Sequence, residues 1–440
     1  MNHKIQQSNA HELCRFYQES NNSICLIVKN NKEAKYIFNE LSLYLNQEDI
    51  NYFPENEILP YDHFSVPENI LIERFKILNS VSIKKNILIT TIKNLFELYP
   101  SIGFFSSINK FSNGDKLSIK VLESILSSLN YSKTNKIDGI NQYSLRGGIA
   151  DIFTPIYKYP LRIEIFDDQI ESIRYFDPES QLSIKRLDHF NISHGNLPPL
   201  DEISIKLFKD NWRDYFQNND ERLCEIFQKL SSGINPEGSE IYLPLFLKSK
   251  SNFFELFSDY SFLKIDDDLC KSAYEYESFI NQRFEDENID NQRPILSPTD
   301  MFVSAEKVTN ELTKINNFKI NDSDHLDFSD FNDLLKNIKA YKNLKVILAT
   351  SIRSEYEILL KQFLPNINEI ININDALPGV NLINSSVVRP YYSKKNNLIV
   401  VHREFYIDSY VEEDKKNISV KSKQDKSLMF EEDDLVIHEN

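Results

Sequence analysis

Residues 145–186 read LRGGIADIFTPIYKYPLRIEIFDDQIESIRYFDPESQLSIKR, and their alternation decides the fold of this part of the chain. Along LRIEIF, Leu161, Ile163 and Ile165 alternate with Arg162, Glu164 and Phe166. Strand side chains point to opposite faces with period two, so the aliphatics face a core and the other three share the outer face. The neighbouring runs are short and punctuated by Gly, Pro and Asp, which predicts a small antiparallel unit. A large aromatic beside an arginine on a wet sheet face is the composition of a binding hot spot. On alternation alone, a hairpin whose outer Phe covers a neighbour is the plainer account, since single exposed apolar residues are ordinary.

Working outward, the unit is preceded by a helical stripe, Leu122, Ile125, Leu126 and Leu129, within Leu117 to Leu129. Residues 113–195 therefore read as an α+β insertion, with HGNLPPL (His194–Leu200) as its exit. Strand and helix patterns alternate on both sides of it. SICLIV (23–28) and NILITT (86–91) read as buried strands, with helices from Lys32 to Leu45 and Glu68 to Val81. IYLPLF (241–246) and FLKI (262–265) read as further strands, and a charged helix follows from Asp267 to Glu287. This alternation predicts a parallel α/β sheet. The expected division is 1–112 plus 196–325 as one α/β domain, 113–195 inserted into it, and 326–408 as a second small α/β domain. In the latter, NLKVILAT (343–350) is a strand followed by a helix near Arg353, and NNLIVVHREF (396–405) is another strand. Residues 409–430 read as a linker, and 431–440 as an opening strand that stops at Asn440, which predicts a truncated chain.

A chain of 440 residues, 41% hydrophobic, is long enough for about three domains with real cores. Its net charge of -16 argues against a surface that tracks a phosphate backbone as a whole. A protein partner is the better default, with a DNA-binding module as an alternative. Cys14, Cys25, Cys224 and Cys270 form no CxxC pair, and the eight histidines lack metal-ligand spacing, so no metal site is expected. No signal-like or membrane-length apolar run occurs, which predicts a soluble, cytoplasmic protein with no membrane partner.

A nucleotide site would need a glycine-rich turn with a lysine and a Ser or Thr, but no Gly-x-x-x-x-Gly-Lys-Ser/Thr run exists. Neither a DExH-type motif nor a nucleophile-elbow signature is present, so no catalytic residues are expected.

The block 145–186 resembles the module shared by the excision-repair protein UvrB and the transcription-repair coupling factors (Mfd). The resemblance lies in Arg146-Gly147, Asp151-Ile152-Phe153-Thr154-Pro155, Arg162-Ile163-Glu164, Phe166-Asp167-Asp168 and Phe176-Asp177-Pro178. It departs mildly from the pattern at Thr154 and at Gln169, which stands where the turn has an acid. LPYDHFSVPENILIER (59–74) is similar to a coupling-factor motif, with no room after Pro67 for the DNA-handling hairpin of UvrB. LFKDNWRDYF around Trp212 and QRPILSP (292–298) are similar as well.

The resemblance implies a degenerate P-loop or helicase-like sheet domain that carries an inserted UvrA-binding domain. QSNAHELC (7–14) lies where its phosphate loop would fall, so no nucleotide cofactor is expected. ATP and Mg would act only through motor domains absent here, and RNA polymerase and DNA would be contacted only through absent downstream domains. The chain would then be a non-enzymatic recruitment module of transcription-coupled repair; as an alternative, it counts as part of an ATP-dependent DNA translocase whose motor is missing. Arg146, Arg162 and Phe166 are the implied UvrA contacts, with Glu164 orienting an arginine and Arg174 and Tyr175 as weaker candidates. Arg162 is expected on the solvated face, where its replacement by Glu would leave the fold intact. Tyr61 and Asp62 are read as a structural turn, and Trp212 as a core anchor.

Overall fold

The computed structural model describes residues 3–402, apart from 81–84, 107–108, 193–196, 218, 267, 288–292, 320, 329–332, 335, 337–342, 353–356, 358–366 and 386–388. The expected helix near Arg353, the linker and the final strand lie outside the described residues. The chain forms two compact units, one of residues 16–38 and 47–318, the other of 1–15, 39–46 and from 319 on.

The first unit is built on a five-stranded sheet in the order Asn316–Asn317, Ser261–Lys264, Ile24–Val28, Ile87–Thr91, Ile50–Tyr52. Every pairing in it is parallel. Ile24–Val28 and Ile87–Thr91 are buried along their whole length, as central strands of a parallel sheet must be. Helices Glu68–Ser80, Leu269–Glu287 and Ala305–Lys314 belong to this unit. The core is rich in aromatics: Trp212 is buried, and Phe208 stacks on Phe246 with centroids 4.4 Å apart.

IYLPLF is not a strand. Ser239–Phe246 is a 3-10 helix that follows Gly238 in the left-handed region at φ 69°. Pro244 has no N–H to give a central ladder, and a short apolar run fits a buried helix as well as a strand. Gly238 is required there, because a Cβ would lie 2.6 Å from the His63 carbonyl oxygen.

The insertion is entered and left by paired strands, Asn109–Ser112 against His189–Ile192. Between them lies a six-stranded sheet in the order Ser183–Leu187, Gln169–Phe176, Leu161–Phe166, Ile149–Phe153, Gln142–Arg146, Ser132–Lys133. Only the last pairing is parallel. Helix Ile119–Ser128 is capped by Ser118, whose hydroxyl accepts from the Val121 N–H at 3.2 Å. Leu122 and Leu126 on this helix are buried in one cluster with Ile152, Ile163, Ile165 and Ile173 of the sheet. The inward aliphatics are therefore those the alternation picked out.

The second unit holds a seven-stranded mixed sheet in the order Asn321–Phe328, His3–Ser8, Tyr391–Ser393, Leu398–Val401, Lys345–Thr350, Gly379–Asn384, Ile367–Ile370. Here the division differs from the sequence reading, which put residues 1–15 in the first domain. His3–Ser8 pairs antiparallel with Asn321–Phe328 and parallel with Tyr391–Ser393. HKIQQS and NDSDHLDF are too polar to register as strands, and their pairing joins residues over 300 positions apart. No described helix is long and apolar enough to cross a membrane. No group of three or more potential metal ligands occurs among the described residues.

Candidate protein-interaction face

The outer face of the insertion is organised by two tight turns at one end of the sheet. Phe166 pairs with Gln169 across a two-residue loop, Asp167–Asp168, whose φ values are 50° and 56°. Both central residues in the left-handed region is the turn geometry that matches strand twist, and Asp tolerates it better than most. The turn is fastened by Leu117 N–H to the Asp168 carbonyl (2.8 Å) and by Gln169 Nε2 to the Gly114 carbonyl (2.7 Å). An acid at position 169 could not donate the second bond.

Arg146 pairs with Ile149 across Gly147–Gly148. Gly147 adopts φ 60°, and a Cβ on Gly148 would lie 2.5 Å from the Ile165 carbonyl oxygen. Ile165 N–H donates to the Gly148 carbonyl at 2.7 Å. The double glycine thus lets this turn lie against the strand that ends in Phe166. By register, Arg146, Ile149, Glu164 and Ser172 form one row across the sheet, and Asp151, Arg162, Arg174 and Arg186 form the next.

Asp151 holds this face together. It is only 2% exposed and receives Arg162 Nε at 2.6 Å, Arg162 Nη2 at 2.9 Å and Arg146 Nη2 at 2.7 Å. Arg162 also donates to Gln181 Oε1 at 2.8 Å and stacks over the Phe176 ring at 4.2 Å. The Phe-Asp-Pro run supplies Phe176, and the turn that follows it supplies Gln181. Asp177 Oδ1 accepts from the Ser180 N–H and hydroxyl, and the resulting turn carries Gln181 at φ 62° towards Arg162. The same bonds hold the Asp177 carboxyl below its ordinary value. One row along, Glu164 accepts from the Ser172 hydroxyl and from Arg174, which hold its carboxyl below the usual 4.5.

The three expected contact residues therefore separate. Phe166 is 71% exposed at the hairpin tip, and the Arg146 side chain is 55% exposed. Arg162 is not a solvated side chain: it is 14% exposed, and its Nε and Nη2 are engaged by Asp151 and Gln181. The expectation that Arg162 stands on the solvated face is accordingly corrected, and Arg162→Glu would set a second carboxylate against buried Asp151. Glu164 does orient an arginine, namely Arg174, while Tyr175 lies on the opposite face against Tyr157. Asp151 stands in the quoted motif, but its sequence context assigns it no role. The available signal was an aspartate inside an apolar strand, which is seldom buried unless paired.

Elsewhere, Tyr61 and Asp62 form a turn, with Asp62 N–H on the Leu59 carbonyl at 3.1 Å and Tyr61 buried. Over residues 7–14, where the resemblance led to the expectation of a degenerate phosphate loop, strand His3–Ser8 and helix Ala10–Glu19 are joined by Asn9 alone. Ser8 Oγ receives the Ala10 N–H at 3.1 Å and donates to buried Glu40 at 2.9 Å. A carboxylate at this helix start is opposite in sign to what a phosphate would require.

Comparison with known proteins matches residues 110–196 to the UvrB interaction domain. The chain is also similar to proteins named transcription-repair-coupling factor. It is 28% identical to that of Escherichia coli over 66% of this chain and 25% of the relative. The Rickettsia prowazekii protein is 27% identical over 96% of this chain and 39% of its own length, and that of Staphylococcus aureus is 26% identical over 46% of this chain and 17% of its own. The chain thus spans well under half the length of the curated relatives it matches.

Proposed function

We propose that this chain is the amino-terminal recruitment portion of a transcription-repair coupling factor and binds UvrA through the outer face of its inserted domain. The observation that carries the reading is the open end of that face, where exposed Phe166 stands on a fixed hairpin tip beside half-exposed Arg146, within the segment matched to the UvrB interaction domain. Exposed aromatic and arginine anchors on a rigid element are the usual centre of an interface. The face is of mixed charge: its rows carry Arg146, Arg162, Arg174 and Arg186 with Asp151 and Glu164, and exposed Asp167, Asp168 and Glu171 stand at or next to the hairpin tip. Arg146 and Phe166 make the contact in this reading, and Arg162 acts through Asp151 as a positioning residue.

We further propose that the chain has no ATP turnover of its own. The missing glycine loop and lysine, and Glu40 at the helix start, support this. Displacement of RNA polymerase and DNA translocation would belong to the remainder of a longer protein. A plain DNA-binding role is the second reading, disfavoured by charge, and a salt-dependent gel shift would reveal it.

The test is a titration of the purified chain with UvrA, with Phe166→Ala alongside. The variant should lose about 2 kcal/mol of binding, roughly 30-fold, with an unchanged melting temperature. Equal affinity of parent and variant would remove the hairpin tip from the interface, and no binding by the folded parent would overturn the reading as a whole.

A further inference from the structure

Asn113-Gly114 is the one Asn-Gly pair in the chain, and the recruitment reading assigns it no role. It sits where the entry strand Asn109–Ser112 hands over to the inserted domain. The pair forms the centre of a β-turn closed by the Asp115 N–H on the Ser112 carbonyl at 3.1 Å. Gly114 takes φ 90°, as the third position of such a turn allows for glycine, and both residues are exposed.

The turn is bonded in two directions. Asn113 Nδ2 donates to the Leu187 carbonyl at 3.0 Å and its N–H to the Asp188 carbonyl at 2.9 Å, which ties the entry of the domain to its exit. Gly114 N–H donates to the Ile170 carbonyl at 2.8 Å, and its own carbonyl accepts Gln169 Nε2 at 2.7 Å. The Ile170 N–H donates in turn to the Asp115 carbonyl at 3.0 Å. The strand that leaves the hairpin tip is thus fastened to residues 114 and 115. An Asn-Gly pair also carries a chemistry of its own. The next backbone nitrogen can attack the side-chain amide, and glycine has no Cβ to screen that approach. Here both reacting groups are occupied, the nitrogen by Ile170 and the departing amide by Leu187. Those two bonds must break before the reaction can start.

We propose that Asn113 is a deamidation site controlled by local opening of this turn, and that its product unfastens the hairpin tip. The Gly114 nitrogen bonds to Asn113 Cγ and gives up its proton, the Cγ–Nδ2 bond breaks, and ammonia leaves carrying that proton. Water then opens the cyclic imide and leaves aspartate or isoaspartate at position 113. Either product has a carboxylate and no amide to donate to the Leu187 carbonyl. Isoaspartate also lengthens the main chain by a carbon just before Gly114, which puts the bonds to Gln169 and Ile170 out of register.

The test ages the whole chain at neutral pH in native buffer and, in parallel, in urea, with peptide mapping by mass spectrometry at position 113. Conversion should appear in both and run at least about tenfold slower in native buffer, because there it waits on local opening. The converted chain is then separated from the parent by ion exchange. Its Leu117 and Ile170 amide hydrogens, which donate to Asp168 and Asp115 in the parent, should exchange at least about tenfold faster. Asn113→Gln keeps an amide but closes the larger imide ring far less readily, so it should stay unconverted. A native chain that never converts would overturn the site. Equal rates in buffer and urea would overturn the control by opening, and parental exchange in the converted chain would overturn the loosening of the tip. Every readout is taken without UvrA, so failure here is distinct from failure of the recruitment reading.

Discussion

Two guanidiniums in this chain have the same surroundings and different fates. Arg74, on helix Glu68–Ser80, stacks over Phe53 at 4.5 Å, pairs with Glu97, and donates to the Pro54 carbonyl at 2.9 Å and Asn94 Oδ1 at 3.2 Å. Arg162 stacks over Phe176, pairs with Asp151 and donates to Gln181. Each is an arginine whose planar fork satisfies a carboxylate while its face covers a ring. Arg74 is sealed within the parallel-sheet unit, its side chain 7% exposed. Around Arg162 the arrangement stays open on one side, because Asp151 also takes Arg146, and Arg146 reaches solvent. The buried pair in one region ends in structure. In the other it ends in a display of side chains. A motif arginine can therefore be the support of an interface rather than its contact.

The comparison predicts the largest effect at Arg74. Arg74→Met keeps much of the apolar stem but strands Glu97 and the Asn94 and Pro54 oxygens, so it should destabilise the chain by about 3 kcal/mol in urea unfolding. A loss well under 1 kcal/mol would mean that Arg74 is no more structural than a surface ion pair. Arg162→Glu comes next. It removes the bidentate partner of Asp151 and opposes two carboxylates, with Arg146 still able to bind one, so the expected loss is about 2 kcal/mol. Faster hydrogen exchange in Ile149–Phe153 should accompany it. If this variant melts like the parent, Arg162 is a free contact after all, and its asymmetry with Phe166 disappears.

How much of this was legible follows from where the information sat. The inward set Leu161, Ile163 and Ile165 was written in a period of two, and the buried runs at 24–28 and 87–91 in their length and composition. Phe166 was legible because an apolar residue on the polar phase of a strand stands out. Asp151 was not, since its role depends on three strands meeting in register, and register is a tertiary fact. His3–Ser8 was missed for a related reason: with Ile5 as its one large aliphatic, nothing local marks it as the second strand of a sheet whose other members begin at residue 321. Ser239–Phe246 failed differently, through an apolar run too short to separate helix from strand.

The smallest effect tests the row next to Asp151. Glu164 is held below its ordinary value by the Ser172 hydroxyl first and by Arg174 as well. A depressed carboxylate stabilises the fold above its unfolded pKa, and that contribution is lost as pH falls through the folded value, here below 4.5. Glu164→Gln should therefore melt slightly below the parent at neutral pH, and the two melting curves should converge as pH falls through the carboxylate range. The pair is partly solvated, so the gap is that of a screened surface interaction and should shrink in high salt. Stability curves that run parallel to the lowest pH would show that Arg174 does not depend on Glu164, and that the outer face is ordered by the Asp151 cluster alone.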